Sequence, residues 1–414
     1  MKRKLFKQML NEWRSNIWLV VELVIVLIVM QWIFTLLSSL YYIHKNSLPV
    51  DLGDIYVTDI RVLDENCEGY VPYDSVRSVR SDLDVMLSGL RSNPYVEIVA
   101  EANYTSLPYN YNFMGDNLMY IRKDGKERRY YVNKRFMSPE LILLFRLGGD
   151  GGETPERLAE ILKKGEIIIS ETEYPWGEEA PTAREFMGRN VVLSSDTLTY
   201  YRVGAVAADL RRTDYEPTFA GSGYFPIRPE DVSTLVFRVK PGMGRKFIES
   251  LGNGGMQSGN VYLTDLKSLE DIRDSIQITI TQAIRNIVIC ALFIMSVIFL
   301  GFLGTFWFRT QQRVSEIAVR KVHGARNSDI YARFFAEGLI LLAVAVLITL
   351  PVSIWMMKSS LLEVIEMPIV LPDSQLIIGE ILAILSLGLL IVAGIYAPAR
   401  RATRVDPAEA LKDM

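Results

Sequence analysis

Four long apolar segments constrain the fold of this chain more than any other feature of its sequence. Each holds about 20 residues or more with at most one internal charge, the length that a helix needs to cross a hydrocarbon core of roughly 30 Å. Backbone groups inside lipid must pair within their own segment, so each segment is predicted to be a helix. The predicted transmembrane helices are residues 17–42, 283–308, 334–357 and 376–397.

Buried core helices are the alternative interpretation, but four such runs are too many for one chain of 414 residues. A cleaved signal peptide is an alternative for the first run. That run is too long for one and no A-x-A-like site follows it, so we expect a retained anchor.

Few polar residues interrupt these segments. Glu22 is expected either to have a function or simply to reach the membrane surface. Glu337 and Glu380 lie near segment ends, so they are expected at the membrane interface. Cys290 is expected to be a small packing residue.

The charges of the connecting segments predict the orientation. Residues 1–16, 309–337 and 397–414 together hold 15 Lys and Arg against 7 Asp and Glu, whereas the whole chain has a net charge of −3. Short segments rich in Lys and Arg stay in the cytoplasm. The prediction is a cytoplasmic N-terminus (1–16), an outer domain (43–282), a cytoplasmic loop (309–333), a short outer loop (358–375) and a cytoplasmic tail (398–414).

Residues 43–282 are numerous enough to form a domain with its own core. Alternating apolar residues predict a strand at Asp54–Val62, and a helical stripe predicts a helix at Pro155–Lys163. Leu266–Ile284 is predicted to be a helix that continues into the second apolar segment. Asp209–Gly223 lacks periodicity and is interpreted as a solvated connection or, alternatively, a partner-binding loop. The predicted fold is an α-helical membrane protein with four transmembrane helices and a large α+β extracytoplasmic domain between helices 1 and 2.

Composition argues against several functions. The chain has two cysteines, Cys67 and Cys290, and two histidines, His44 and His323, too few for a disulfide framework or a His/Cys metal site. No phosphate-binding loop of the form G-x-x-x-x-G-K-[ST] occurs, so ATP-driven work requires a second polypeptide. A catalytic site built from Asp and Glu alone is left open by composition.

Residues 314–325, VSEIAVRKVHGA, form a short basic segment between the second and third apolar runs. Glu316 and Arg320 are four residues apart and can pair on a helix, and Gly324 is a natural helix end. The apolar positions that fall on one helical stripe are Val314, Ile317, Ala318, Val322 and Ala325. A helix lying in the lipid headgroups has the same pattern as one that docks on a protein, so both interpretations are open at this point.

Two motifs resemble those of a known family. Glu316–Ala325, EIAVRKVHGA, resembles the E-I-G-I-R-[KR]-A-L-G-A signature of FtsX-like permeases of the MacB type. Tyr396–Leu411 resembles their Y-P-A-x-x-A-x-x-x-D-P-x-x-A-L ending, and Phe335-Ala-Glu337 is similar to their F-L-x-E. Ala318 and His323 depart from the usual Gly and Leu.

The resemblance implies that Glu316–Ala325 is a coupling helix that docks in a groove of an ATPase. Ile317 and Val322 are expected to provide its apolar contacts. The residues expected to couple to the ATPase are Val314, Glu316, Ile317, Arg320, Lys321, Val322, Gly324 and Ala325. The tail motif comprises Pro398, Arg400, Arg401, Asp406 and Pro407. No catalytic or metal-binding residue is expected.

The same resemblance implies a non-enzymatic membrane subunit of a type VII ABC transporter, which passes ATP-driven motion to its outer domain. It is expected in a bacterial inner membrane, with a MacB-like domain in the periplasm. The chain is expected to bind no cofactor, with ATP and Mg²⁺ on a cytoplasmic ATPase partner that is not fused to it. Other expected partners are a second permease in a homodimer or heterodimer, membrane lipid, and a periplasmic or outer-membrane protein, but no nucleic acid.

Several tasks fit that subunit. Export of a drug or peptide, lipoprotein release and regulation of a cell-wall hydrolase are open alternatives. A membrane sensor with an extracytoplasmic ligand domain is the alternative from another class.

Overall fold

The chain forms two compact units. A computed structural model describes residues 13–45, 52–74, 77–110, 112, 114–123, 125–172, 181–215, 221–252, 257–312, 314–358 and 373–404. One unit comprises Met1–Tyr42 and Ile280–Met414 and is called here the helical unit. The other comprises Ile43–Thr279 and is called the inserted domain.

Helices and strands are numbered in chain order. The helices are α1 Trp13–Lys45, α2 Val79–Arg91, α3 Pro139–Phe145, α4 Pro155–Lys163, α5 Ala183–Phe186, α6 Gly244–Leu251, α7 Leu269–Gln312, α8 Val314–Val322, α9 Asn327–Lys358 and α10 Asp373–Arg404. The strands are β1 Ile55–Val62, β2 Val96–Ala102, β3 Gly115–Ile121, β4 Glu127–Met137, β5 Ile167–Ser170, β6 Asn190–Leu193, β7 Asp196–Ala207, β8 Gly221–Pro226, β9 Thr234–Val239, β10 Gln257–Ser258 and β11 Val261–Ser268.

The helical unit contains the four predicted apolar helices. The segments long and apolar enough to cross a membrane are Ile17–Lys45, Leu269–Gln312, Asn327–Trp355 and Ser374–Arg401. Leu27 of α1, Ala345 of α9 and Leu387 of α10 pack in one apolar core. Phe293 and Leu389 are exposed on the outside of the unit, as expected for side chains that face lipid or a partner.

An antiparallel sheet and one helix form the first part of the inserted domain. Its strand order is β10-β11-β1-β9-β2. Helix α2 begins with a capping box at Ser78 and Ser81 and presents Leu83, Met86 and Leu90 on one stripe. These residues pack with Phe237 of β9 in a shared core, so the amphipathic pattern of α2 decides which face meets the sheet.

A closed barrel forms the second part, in the order β3-β4-β8-β5-β7-β6. Strand β8 lies parallel to β4 and antiparallel to β5, and β5 is parallel to β7. Helices α3 and α4 pack on each other, and their apolar residues share a core with both sheets. The fold is therefore an α+β domain between the first and second apolar helices, as predicted.

Several local predictions are wrong. Within Asp209–Gly223, Arg211 and Asp214 are buried and residues 221–223 begin β8, so the described part is not a solvated connection. Residues 216–220 lie outside the described part. Leu266–Ile284 is not helical throughout, because β11 continues to Ser268 before α7 begins.

The polar residues of the apolar helices also differ from expectation. Glu337 and Glu380 are buried in the helical unit, not exposed at its ends, because neighbouring helices cover them. Cys290 is exposed on α7, so it does not pack inside the unit.

Candidate coupling site

The segment from Val314 to Val322 folds as a separate helix, α8, between α7 and α9. Gly324 has a φ of +86°. The N–H groups of Gly324 and Ala325 donate to the carbonyl oxygens of Lys321 and Arg320. This pair of hydrogen bonds is the Schellman arrangement, which requires a left-handed residue that glycine supplies without Cβ strain. Gly324 therefore ends α8 for a defined geometric reason.

Glu316 connects α8 to α9. Its Oε1 accepts a hydrogen bond from Nη2 of Arg320 at 2.8 Å, the pair expected from their spacing, and from Nη2 of Arg333 at 3.3 Å. The Arg333 side chain is mostly buried, while Glu316 and Arg320 are partly exposed. One carboxylate thus holds two guanidinium groups, and its α9 partner is the better shielded from water.

Lys321 connects α8 to α10. Its Nζ donates to the carbonyl oxygen of Thr403, close to the last described residue of α10. The Thr403 hydroxyl lies 3.1 Å from the hydroxyl of Tyr331 in α9. The Tyr331 ring stacks on Tyr396, with ring centroids 6.1 Å apart. These contacts bring the coupling segment and the tail motif together in one cluster.

The other tail residues occupy varied positions. Pro398 is buried within α10, and Arg400 is exposed. Arg401 lies over the Trp307 ring, 4.8 Å from its centroid, a cation–π geometry. Asp406 and Pro407 lie outside the described residues.

The apolar residues of α8 divide into two groups. Ile317 is 5% exposed and Ala318 is also buried, and Ile317 packs with Ile330 and Phe334 of α9 in the core of the helical unit. Val322 is 64% exposed and Val319 is partly exposed. In this structure Ile317 therefore serves the internal packing, whereas Val322 is free to contact another protein. The Val314 side chain is not among those described.

A small hollow lies beside this helix. It measures about 190 Å³ and is lined by residues of α8 and the start of α9, among them Glu316, Arg320, Asp329 and Arg333. Ile317, Ala325, Ile330 and Phe334 also line it, so the hollow presents apolar surface together with charged groups of both signs.

A buried ion pair lies near the same end of the helices. Nη1 of Arg309, near the end of α7, is 3.3 Å from Oε1 of Glu337 in α9, and both side chains are almost fully buried. A buried charge is tolerated where its partner and further hydrogen bonds satisfy it. This pair joins the second and third apolar helices.

A second polar cluster, which was not predicted, lies in the inserted domain. Asp214 is almost fully buried and accepts hydrogen bonds from Tyr109 Oη and Arg273 Nε, both at 2.8 Å. His44 Nδ1 lies 3.9 Å from the same carboxylate, and the His44 ring stacks on Tyr215. We call these five residues the Asp214 cluster. It joins the last residues of α1 to the first turns of α7.

Burial alone would raise the pKa of Asp214. The side chains of Gln277, Arg273 and Tyr109, with the positive charge of Arg273, outweigh that effect and lower the pKa. Burial, followed by the charge of Asp214, raises the pKa of Tyr109. The cluster therefore contains a stable carboxylate and a neutral phenol at neutral pH. The only signal in the sequence was the unusual density of charge and aromatic residues around Arg211–Tyr215.

In the described ranges of the chain, no three His, Cys, Asp or Glu side chains come together as a metal ion would require.

Comparison with known proteins identifies the C-terminal part. Residues 288–407 match the family model described as the FtsX-like permease C-terminal domain. Curated proteins gave no match. Among solved structures, the chain is similar to the extracellular domain of the noncanonic ABC-type transporter YknZ from Gram-positive bacteria, with 10% identity and a TM-score of 0.30, over 50% of this chain and 100% of that one. A likeness at that score does not establish a shared fold.

The matched region contains α8, α9 and α10, the whole of Glu316–Ala325, and the tail motif as far as Pro407. Over residues 288–407, the match therefore agrees with the resemblance to FtsX-like permeases that the sequence motifs indicated.

Proposed function

We propose that this permease couples ATP hydrolysis by a separate cytoplasmic ATPase to movement of its inserted domain. An ABC permease requires such an ATPase partner. The observation that carries the proposal is the exposed face of α8, where Val319, Arg320 and Val322 are available while the opposite face is packed against the chain.

The contacts that hold α8 against α9 and α10 support this role. Glu316 ties it to Arg333 of α9, and Lys321 ties it to Thr403 of α10. Ile317 adds an apolar contact to the core. A helix held by two neighbours transmits a push to both, whereas a helix attached through its loops alone would swing freely. Docking on the exposed face of α8 would therefore move α9 and α10 together.

The path to the inserted domain runs through α7 and α1. Helix α7 is continuous from Leu269 to Gln312, and Arg309 near its end pairs with Glu337 of α9. At its other end, Arg273 binds Asp214. We propose that displacement of α9 is passed through Arg309 into α7 and reaches the inserted domain at the Asp214 cluster.

The proposed setting is a bacterial inner membrane, with α8 in the cytoplasm and the inserted domain in the periplasm. The excess of Lys and Arg in residues 309–337 supports this orientation. ATP and Mg²⁺ would bind to the ATPase subunit, and the permease would act as a dimer. The expected tasks are export, lipoprotein release or regulation of a cell-wall hydrolase.

The test is Val322→Asp in the full chain, co-expressed with the cytoplasmic ABC ATPase proposed as its partner. A buried unpaired carboxylate in the docking face is costly, so we expect co-purification of the ATPase to fall at least about tenfold, a loss of roughly 1.4 kcal/mol. The variant should stay folded, because Val322 makes no core contact.

Leu198→Asp is the matched control, because Leu198 is an apolar residue of the inserted domain that is 88% exposed. It should leave the ATPase bound. If Val322→Asp retains the ATPase and its activity at the level of the unaltered chain, α8 is not the docking helix.

A further inference from the structure

Polar side chains form a cluster inside the apolar helical unit. Gln31 and Thr35 of α1, Ser353 of α9 and Glu380 of α10 are all buried. Glu380 is only 9% exposed. Ionisable groups are rare inside transmembrane segments because an unpaired charge there is costly, and those that occur commonly have a function.

The Glu380 carboxyl group has too few partners for an ionised group. Its Oε2 lies 3.5 Å from the Ser353 hydroxyl, and its Oε1 is buried with no hydrogen-bond partner within the described part of the chain. Among the described residues, no charged group pairs with it. An ionised carboxylate has about four acceptor sites and needs several donors when water is absent. These surroundings therefore do not stabilise a negative charge on the Glu380 carboxyl group.

Counting hydrogens gives the protonation state. Ser353 has one hydroxyl hydrogen, and three acceptors compete for it: Gln31 Oε1 at 2.7 Å, the Thr349 carbonyl at 3.1 Å and Glu380 Oε2 at 3.5 Å. If Glu380 is ionised, the nearer acceptors take this hydrogen and the carboxylate has no donor. If Glu380 is protonated, it donates to Ser353, and Ser353 donates to Gln31, so each hydroxyl hydrogen has an acceptor.

The orientation of the Gln31 amide does not change this result. Oxygen and nitrogen of an amide are assigned from the surrounding hydrogen bonds. With the nitrogen turned toward Ser353, Gln31 would donate to the serine and the serine to Glu380 Oε2. The carboxylate would then accept one long hydrogen bond, and Oε1 would still have none.

A polar stripe on α1 continues from this cluster. Gln31, Thr35 and Ser39 are four residues apart and share one face of the helix. Among the residues that the structure describes, the hydroxyl groups of Thr35 and Ser39 are buried without a hydrogen-bond partner. The stripe leads toward the end of α1 that precedes the inserted domain.

Other acidic residues of these helices are placed differently. Glu337 pairs with Arg309, and Glu22 Oε1 lies beside Gly301 of α7. Neither lies in hydrogen-bond contact with the Glu380 carboxyl.

We propose that Glu380, Ser353 and Gln31 form a buried proton-binding site, in which the Glu380 carboxyl group holds a proton and donates it to Ser353. Helices α1, α9 and α10 each supply one of these groups. Separation of α10 from α1 and α9 would expose the carboxyl group to water and release the proton. The site belongs to the permease alone, so it stands or falls independently of ATPase docking.

Infrared spectroscopy of the purified full chain in lipid nanodiscs at pH 7 tests this. A protonated carboxyl group gives a C=O stretching band that ionised Asp and Glu lack and that shifts in D₂O. We expect this band in the unaltered chain and its loss in Glu380→Gln. Ser353→Ala, which removes the hydrogen-bond acceptor, should keep the band but shift it.

Glu337→Gln is the matched control, because it removes a buried but ion-paired carboxylate and should leave the band unchanged. Spectra in sodium chloride and in choline chloride separate a proton from Na⁺. A band present equally in both salts supports the proposal. A band unaffected by Glu380→Gln overturns it, as does a band seen in choline chloride but abolished by sodium chloride, which would indicate a Na⁺ site.

Discussion

Replacing Asp214 by Asn should loosen the start of α7. Asn has the shape of Asp, so the change leaves no cavity, but it removes the negative charge and replaces one acceptor oxygen by an NH2 donor. Tyr109 can still donate to the remaining side-chain oxygen, but Arg273 loses the charge-assisted hydrogen bonds that it makes to Asp214. The contact that should weaken is therefore the one between Asp214 and α7.

The expected cost follows from burial. Hydrogen bonds to charged groups contribute about 1.5–3 kcal/mol. Asp214 is almost fully buried, but the Arg273 side chain is 33% exposed, so water screens part of the attraction. We therefore expect a loss of about 2 kcal/mol in the free energy that holds Arg273 in place. At 1.4 kcal/mol per factor of ten, this is roughly a 30-fold change in the local opening equilibrium.

Hydrogen–deuterium exchange of the full chain measures that equilibrium. Backbone amides exchange through local opening, with rates that report its free energy. Exchange across residues 269–279 should accelerate about 30-fold in Asp214→Asn, while exchange in α4 should not change. The pKa of Asp214 is lowered in the folded chain. The stability that the Asp214 carboxylate contributes is therefore present above the pKa of the unfolded chain and is lost as the pH falls through the pKa of the folded chain.

Asp150→Asn is the control for this measurement. Asp150 pairs with Arg184 through two exposed side chains, and exposed pairs contribute about 0–1 kcal/mol. Unchanged exchange across residues 269–279 in Asp214→Asn would refute the assignment of the Asp214 cluster as the anchor of α7.

Four further substitutions test the backbone, packing and hydrogen-bond arguments. Gly324→Ala should destabilise the end of α8 by about 1 kcal/mol, because an L-residue at positive φ is strained, and hydrogen exchange in α8 should increase. Gly379→Ala should lower the thermal stability of the helical unit, because the added Cβ would lie 2.7 Å from the backbone nitrogen of Thr35. Gly388→Ala should be tolerated, since the nearest atom would be 3.7 Å away. Asp116→Asn should lower stability by about 2 kcal/mol at pH 7. Burial would raise the pKa of Asp116, but hydrogen bonds from two serine hydroxyls and a lysine lower it. The difference from the unaltered chain should therefore shrink in thermal melts below about pH 4.

Local patterns predicted many elements of the fold. Helix α4 has the predicted bounds, because its apolar residues form one stripe. Strand β8 was missed because it is short, contains two glycines and is buried on both faces, so no alternation marks it. Helix α3 was missed for a related reason. Its short apolar run after Ser138 fits a buried strand as well as a helix.

Local sequence patterns also predicted only part of the coupling site. The helical form of α8 and its end at Gly324 follow from neighbouring residues. The burial of Ile317 depends on α9, so a stripe on α8 alone could not separate its internal face from its exposed face. The Asp214 cluster unites side chains far apart along the chain. No spacing rule connects them, and the fold brings them together.

Cysteine cross-linking at Val322 tests the central claim most directly. Cys67 and Cys290 are both exposed and must first be replaced by serine. Val322→Cys in that background should cross-link to the ABC ATPase partner through a short bifunctional reagent, whereas Leu198→Cys should not. A cross-link at Val322 that changes when ATP is added is the predicted result. Absence of the cross-link in a complex that still hydrolyses ATP would contradict docking through α8.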